Sequence, residues 1–192
     1  MAYSDGSEPF PTAIKLVIAG GFGVGKTTFV GSVSEIGPLS TEEILTSASI
    51  GADDLDGLGD KSTTTVAMDF GRITLEPRLV LYLFGAPGQE RFWFMWDELS
   101  AGALGAVVMA DTRRLEDSFS AVDYFERHDI GFVVAVNEFD GSYRYEPDEV
   151  RGALDLKPHI PVVLCDARQR RSATGVLVGL VQYLLSTIQS HP

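Results

Sequence analysis

Residues 20–27 read GGFGVGKT, a complete G-x-x-x-x-G-K-T phosphate-binding loop. In such a loop successive backbone N–H groups converge on one point and form a cradle for an anion. Lys26 can place its ammonium group on the β- and γ-phosphates, and the hydroxyl of Thr27 can ligate Mg²⁺. The other residues expected to line the nucleotide phosphates are Gly21, Gly23, Val24, Gly25 and Thr28.

The segments on either side of the loop support this interpretation over a chance match. An apolar run before the loop predicts a buried strand (Ile14, Leu16, Val17, Ile18 and Ala19), and Thr28 to Val30 open a helical pattern. A helix that begins at the loop points the positive end of its dipole at the phosphates. The sequence therefore predicts that the chain binds a nucleotide.

Composition narrows the class of protein. The chain has 192 residues, enough for one domain, with residues 1–12 expected as a flexible lead and residues 13–192 as the domain. A formal net charge of −12 argues against nucleic-acid binding and against direct attachment to anionic lipid. Cys165 is the single cysteine, no secretory signal is visible, and no stretch is expected to span a membrane. We expect a cytoplasmic protein without a membrane anchor of its own.

Apolar runs alternate with helical patterns along the chain. Strands are predicted at 13–19, 66–75, 78–84, 104–110, 131–136 and 161–165, and helices at 25–35, 89–101, 115–128, 146–155 and 173–189. This alternation predicts an α/β fold, a mainly parallel six-stranded sheet with helices on both faces. The 66–75 and 78–84 runs are close enough to form a hairpin, which would place one antiparallel strand at the edge. The polar segment 37–64 is expected to be a loop that is either functional or disordered.

Three later motifs follow predicted strands. They read GAPGQE at 85–90, NEFD at 137–140 and DAR at 166–168. In order and spacing they resemble the signature motifs of Ras-like small GTPases, over nearly the whole chain from residue 13 to 189. The resemblance implies a P-loop NTPase fold of the Ras-like G-domain type.

The resemblance implies a guanine-binding set. Asp140 would accept hydrogen bonds from guanine N1–H and the exocyclic amine, which adenine cannot donate. Asn137 would tie this loop to the phosphate-binding loop and reach the base edge. The backbone N–H of Ala167 would donate to guanine O6, with Asp166 and Arg168 on either side of it.

The resemblance also implies a catalytic set, consisting of Gln89, Lys26 and Thr65. Gln89 would orient the attacking water, and Gly88 would donate its N–H to the γ-phosphate. Thr65 would close on Mg²⁺ together with Thr27, and Thr63 or Thr64 could take its place if the register slips.

Two departures from the usual motifs affect the expected chemistry. Gly85 occupies the position at which an aspartate usually holds Mg²⁺ through water, and Glu138 replaces the usual lysine of the base motif. Loss of the carboxylate should weaken Mg²⁺ binding and slow hydrolysis. Asp69 is expected to be structural rather than a replacement ligand. We expect no catalytic arginine directly before the switch threonine Thr65, because that position is Thr64.

A residue other than aspartate followed by x-Pro-Gly-Gln is similar to bacterial small GTPases of the conservon (CvnD) and gliding-motility (MglA) type. That resemblance implies a signalling switch with a roadblock-fold regulator and a sensor-kinase-like membrane complex as partners. It would allow peripheral recruitment to the membrane through a partner.

Residues 92–96 read FWFMW, directly after the predicted catalytic glutamine. Five consecutive large apolar residues on a helix point in every direction, so we expect one or two to be exposed as a partner surface unless the 37–64 loop covers them. The main functional hypothesis is a GTP-hydrolysing switch that turns over slowly. The alternatives are a scaffold locked around GDP, which Gly85 favours, and a P-loop kinase or ATPase, against which Asn137 and Asp140 argue.

Overall fold

The computed structural model describes residues 11–37, 39–45 and 64–189. The strands are β1 (Thr12–Gly20), β2 (Leu39–Leu45), β3 (Thr64–Glu76), β4 (Leu79–Gly85), β5 (Gly105–Ala110), β6 (Phe132–Asn137) and β7 (Val162–Cys165). The α-helices are α1 (Lys26–Val33), α2 (Trp96–Ser100), α3 (Phe119–Arg127), α4 (Pro147–Ala153) and α5 (Arg170–Gln189). Two 3₁₀ helices, Glu90–Met95 and Thr112–Ser118, precede α2 and α3.

The strands form one sheet in the order β2-β3-β4-β1-β5-β6-β7. All neighbouring pairs from β4 to β7 are parallel, whereas β3 runs antiparallel to both β2 and β4. The predicted α/β fold with a mainly parallel sheet is confirmed, and so is the hairpin of β3 and β4. The sheet has one strand more than predicted, because β2 forms within the segment 37–64, and the antiparallel strand is consequently second from the edge.

Helices cover both faces of the sheet. One apolar core lies between the sheet and α2, α3 and α4, and a second lies between the sheet and α1 and α5. Strands β5 and β6 are buried along their whole length, which explains their uninterrupted apolar sequences. This arrangement brings the carboxyl ends of β1, β4, β5, β6 and β7 to one edge, where the loops that follow them can form a site.

Helix α5 is the longest helix of the described ranges. Ala173, Val176, Leu177 and Leu180 are buried against the sheet. By length and composition alone, α5 is long and apolar enough to cross a membrane, a test that helices packed in a protein core also pass. Its outer side exposes Leu185 and Ile188.

Two sequence predictions fall largely outside the described residues. Of the predicted lead, 1–12, only residues 11 and 12 are described, and Thr12 is the first residue of β1. Of the predicted 37–64 loop, residues 38 and 46–63 lie outside the described ranges, together with the alternative switch residue Thr63.

Candidate nucleotide site

The phosphate-binding loop connects the end of β1 to the start of α1. Gly25 immediately precedes the helix with φ 104°, a left-handed conformation that favours glycine. A Cβ at this position would lie 2.6 Å from Nδ2 of Asn137, so space as well as backbone geometry excludes a side chain. The loop therefore packs directly against the motif that follows β6.

Lys26 lies over the loop that contains it. Its Nζ donates hydrogen bonds to the carbonyl oxygens of Gly20 (2.9 Å) and Gly21 (2.7 Å). Burial lowers the pKa of Lys26 from 10.5 to about 8, and the negative charge of Asp69 partly opposes this decrease. A phosphate group in the cleft would favour the charged form of Lys26 and so raise its pKa again.

The hydroxyl of Thr27, predicted to ligate a metal, donates a 2.7 Å hydrogen bond to Oδ2 of Asp69. Asp69 lies in β3, is 8% exposed, and pairs with Gly85 of β4 in the strand ladder. The sequence did not predict this residue as part of the site. Thr65 belongs to the same strand, opposite Ile44 of β2, and its side chain lies outside the described part of the structure.

The loop after β4 lies against the phosphate-binding loop. A Cβ on Gly88 would lie 2.7 Å from the backbone carbonyl carbon of Gly21 and 2.7 Å from the backbone nitrogen of Phe22, which leaves no room for a side chain. The side chain of Gln89 accepts a 2.9 Å hydrogen bond from Nε of Arg91. A cleft of about 320 Å³ lies here, lined by Phe22, Gly23, Gly25, Lys26, Thr27, Thr28, Asp69, Ala86, Pro87 and Gly88.

Asn137 links the phosphate-binding loop to the loop after β7. Its Nδ2 donates to the carbonyl oxygen of Val24 (2.9 Å), and its Oδ1 accepts from the backbone N–H of Ala167 (3.0 Å). Asn137 is 6% exposed, so both hydrogen bonds are sheltered from water. The Ala167 N–H that was predicted to reach guanine O6 is therefore used by Asn137 in this structure.

Asp140 is held by Arg168. The guanidinium nitrogens Nη1 and Nη2 donate to the two carboxylate oxygens at 2.8 and 3.1 Å. Arg168 also binds Asp166 through Nε at 2.9 Å. These hydrogen bonds lower the pKa of both carboxyl groups, and they raise the pKa of Arg168. The side chain of Asp140 is 84% exposed, so a ligand can reach it.

The sequence did not predict two residues of the 3₁₀ helix 112–118 that contact the phosphate-binding loop. Nη2 of Arg114 donates to the carbonyl oxygen of Phe22 at 2.9 Å. Asp117 fills the space beside Gly21, where an added Cβ would lie 2.6 Å from its Cβ. No motif in the sequence marks these residues, because they approach the loop through the packing of a separate crossover segment.

The aromatic segment 92–96 is coupled to the same site. Trp96 is buried, and its Nε1 donates a 3.0 Å hydrogen bond to the carbonyl oxygen of Pro87 in the cleft. Phe92 and Met95 are also buried, whereas Phe94 is 59% exposed. Phe94 of the predicted partner surface is thus accessible and Trp93 is half-buried, whereas Phe92, Met95 and Trp96 form part of the core.

The family model described as "conserved hypothetical ATP binding protein" matches residues 18–187. The chain belongs to this family. It is 26% identical over 130 residues to an uncharacterized protein of Methanocaldococcus jannaschii. The aligned region covers 66% of this chain and 71% of that protein. The matched range thus includes the phosphate-binding loop and the three later motifs.

Solved structures with a similar fold include the cytosolic domain of the T. maritima FeoB iron transporter in its GDP form, with a TM-score of 0.64 and 17% identity. That match covers 92% of this chain and 65% of the transporter's domain, so the chain spans slightly less than two thirds of it. The G domain of the same transporter matches with a TM-score of 0.61 and 18% identity, over 90% of this chain and 99% of that domain. The fold is therefore that of a P-loop G domain.

Proposed function

We propose that the protein is a guanine-nucleotide-binding switch that binds GTP and GDP with Mg²⁺ and hydrolyses GTP slowly. The observation that carries the proposal is the pairing of Asp140 with Arg168. A guanidinium group presents two parallel N–H donors to a carboxylate. The N1–H and exocyclic amine of guanine form the same donor pair, whereas the corresponding edge of adenine offers an acceptor and one donor. Arg168 thus forms with Asp140 the same pair of hydrogen bonds that we expect the guanine base to form.

The phosphate half of the site supports a nucleotide with Mg²⁺. Thr27 offers a hydroxyl at the start of α1, and Lys26 offers an ammonium group whose charge a phosphate would stabilise. Within the described residues no group of three or more His, Cys, Asp or Glu side chains is arranged to hold a metal. We therefore expect Mg²⁺ to be held jointly by the protein and the nucleotide phosphates, where it would neutralise developing charge.

For hydrolysis, Gln89 is the residue that we assign to the attacking water. Its amide oxygen is bonded to Arg91 in this structure, so Gln89 must leave Arg91 before it can orient water. We expect slow intrinsic turnover for this reason. The conservon and gliding-motility resemblance, a roadblock-fold regulator, a sensor-kinase-like membrane complex and a cytoplasmic location with recruitment through a partner remain parts of this proposal.

Gly85 favours a second candidate function. A site without a carboxylate at this position can bind GDP and yet fail to turn GTP over, so that the protein acts as a nucleotide-locked scaffold. The two functions differ in whether bound GTP disappears with time.

The base preference is tested by equilibrium binding of GDP and ADP to the wild type and to Asp140→Ala. Hydrogen bonds to a charged group contribute about 1.5–3 kcal/mol, so the variant should bind GDP about 10- to 150-fold more weakly and bind ADP unchanged. Asp148→Ala is the matched control, since Asp148 is an exposed aspartate paired with Arg151 away from the site. Equal affinities of the wild type for GDP and ADP would refute the guanine assignment.

A further inference from the structure

Gly85 has no side chain, and the carboxylate of Asp69 occupies the space beside it. In the β3–β4 ladder Asp69 is the direct partner of Gly85. A Cβ built on Gly85 would lie 2.9 Å from Cβ of Asp69 and 3.0 Å from its Oδ2. The Asp69 side chain therefore occupies the volume into which a side chain at residue 85 would extend. Carboxylates at both positions would clash unless one of the side chains moved.

The Asp69 carboxylate is directed at the phosphate-binding loop. Thr27 donates its hydroxyl proton to Oδ2 of Asp69 at 2.7 Å. A hydroxyl that donates its proton in this way keeps its lone pairs for another partner, and Mg²⁺ prefers such oxygen ligands. The hydrogen bond thus leaves the oxygen of Thr27 able to ligate a cation while the carboxylate of Asp69 stays beside it.

Among the described residues, the carboxylate of Asp69 has few polar partners. Within the described residues, Thr27 provides the one hydrogen bond to the carboxylate, and no Lys, Arg or His lies within ion-pair distance of it. Lys26 contributes a longer-range attraction, while its own hydrogen bonds go to two loop carbonyls. Asp69 is 8% exposed, lines the cleft and has no ion pair among the described residues, so its carboxylate is available to a cation bound there.

We propose that Asp69 supplies the carboxylate of the Mg²⁺ site from β3, in place of the residue that Gly85 lacks on β4. The inference rests on the proposed nucleotide and Mg²⁺ binding. This assignment accounts for the glycine on β4, because Asp69 on the neighbouring strand β3 occupies the space and provides the negative charge.

The test measures how Mg²⁺ slows the release of a fluorescent GDP analogue from the wild type, from Asp69→Asn and from Glu76→Gln. Asp69→Asn keeps the shape of the side chain and removes its charge. Loss of a residue that supports a metal ligand commonly costs 10- to 100-fold in metal affinity, so the Mg²⁺ concentration at half-effect should rise by that factor in Asp69→Asn. Glu76→Gln, at the exposed end of the same strand, should match the wild type.

An unchanged Mg²⁺ midpoint in Asp69→Asn would overturn the assignment of Asp69 while leaving nucleotide binding intact. A wild type that binds no GDP analogue, or whose release rate ignores Mg²⁺, would instead refute the proposed function. The two failures are therefore distinguishable.

A strand exchange provides the second variant. Asp69→Gly combined with Gly85→Asp moves the carboxylate to the facing strand and removes the crowding that Gly85→Asp alone would cause. We expect the midpoint of the double variant to lie closer to that of the wild type than to that of Asp69→Asn. A folded, GDP-binding double variant with the midpoint of Asp69→Asn would contradict the proposal.

Discussion

Replacement of Asn137 by alanine should destabilise the protein even without nucleotide. The side chain is 6% exposed and joins the carbonyl of Val24 to the N–H of Ala167. Truncation would leave both backbone groups buried without these partners, at about 1–3 kcal/mol for each unsatisfied group. We expect a total loss of about 2–4 kcal/mol, because the carbonyl can recover part of its bonding elsewhere. In a protein of this size that corresponds to a decrease in Tm of roughly 5–15 °C.

Thermal unfolding of nucleotide-free protein, followed by circular dichroism, measures this decrease. Gln169→Ala is the control, since it removes an exposed amide that donates one hydrogen bond to Asp166. The control should change the Tm by less than 2 °C. An Asn137→Ala variant that melts within 2 °C of the wild type would refute the reasoning, because the link between the two loops would then contribute nothing before the nucleotide binds.

Three further predictions concern the phosphate half of the site. The pKa of Lys26 is about 8 in the folded protein and ordinarily 10.5, so between these pH values the unfolded chain binds more protons than the folded one. The free energy of unfolding should therefore rise by about 3 kcal/mol between pH 8 and 10.5, relative to that of Lys26→Met. A difference between the two proteins that does not change with pH would contradict this. Gly88→Ala should weaken GDP binding at least about tenfold in equilibrium titrations, whereas Gly175→Ala, where a Cβ meets no atom within 4 Å, should not; equal affinities would show that the loop tolerates the contact. Gln89→Leu should bind GTP as tightly as the wild type and hydrolyse it about 10²-fold more slowly in single-turnover measurements, and an unchanged rate would remove Gln89 from the mechanism.

The sequence predicted the elements that have a strong apolar pattern. Strands β5 and β6, and β1 from Leu16 onward, are buried on both faces, so their continuous apolar runs mark them directly. Strand β2 was missed because its sequence, LSTEEIL, has no such run, and backbone hydrogen bonds to β3 can form with almost any side chain. The segments 89–101 and 115–128 were predicted as single helices, whereas each of them begins in a 3₁₀ helix and continues as an α-helix.

The sequence located the site through its motifs but not through its cross-strand contacts. Recognisable motifs in the sequence identified the phosphate-binding loop, Asn137 and Asp140. The pairing of Asp69 with Gly85 depends on the register of two strands, and a slip of one residue would turn Asp69 to the other face of the sheet. Sequence spacing does not specify that register. The pairing of Arg168 with Asp140 likewise joins loops that are 28 residues apart.

The most direct test of a guanine-specific switch is turnover. Purified protein is mixed with Mg²⁺ and either GTP or ATP, and the nucleotides are followed by ion-exchange chromatography. We predict slow conversion of GTP to GDP, with ATP unchanged. Hydrolysis of ATP at an equal or greater rate would contradict the account, because the carboxylate of Asp140 would then not select the base.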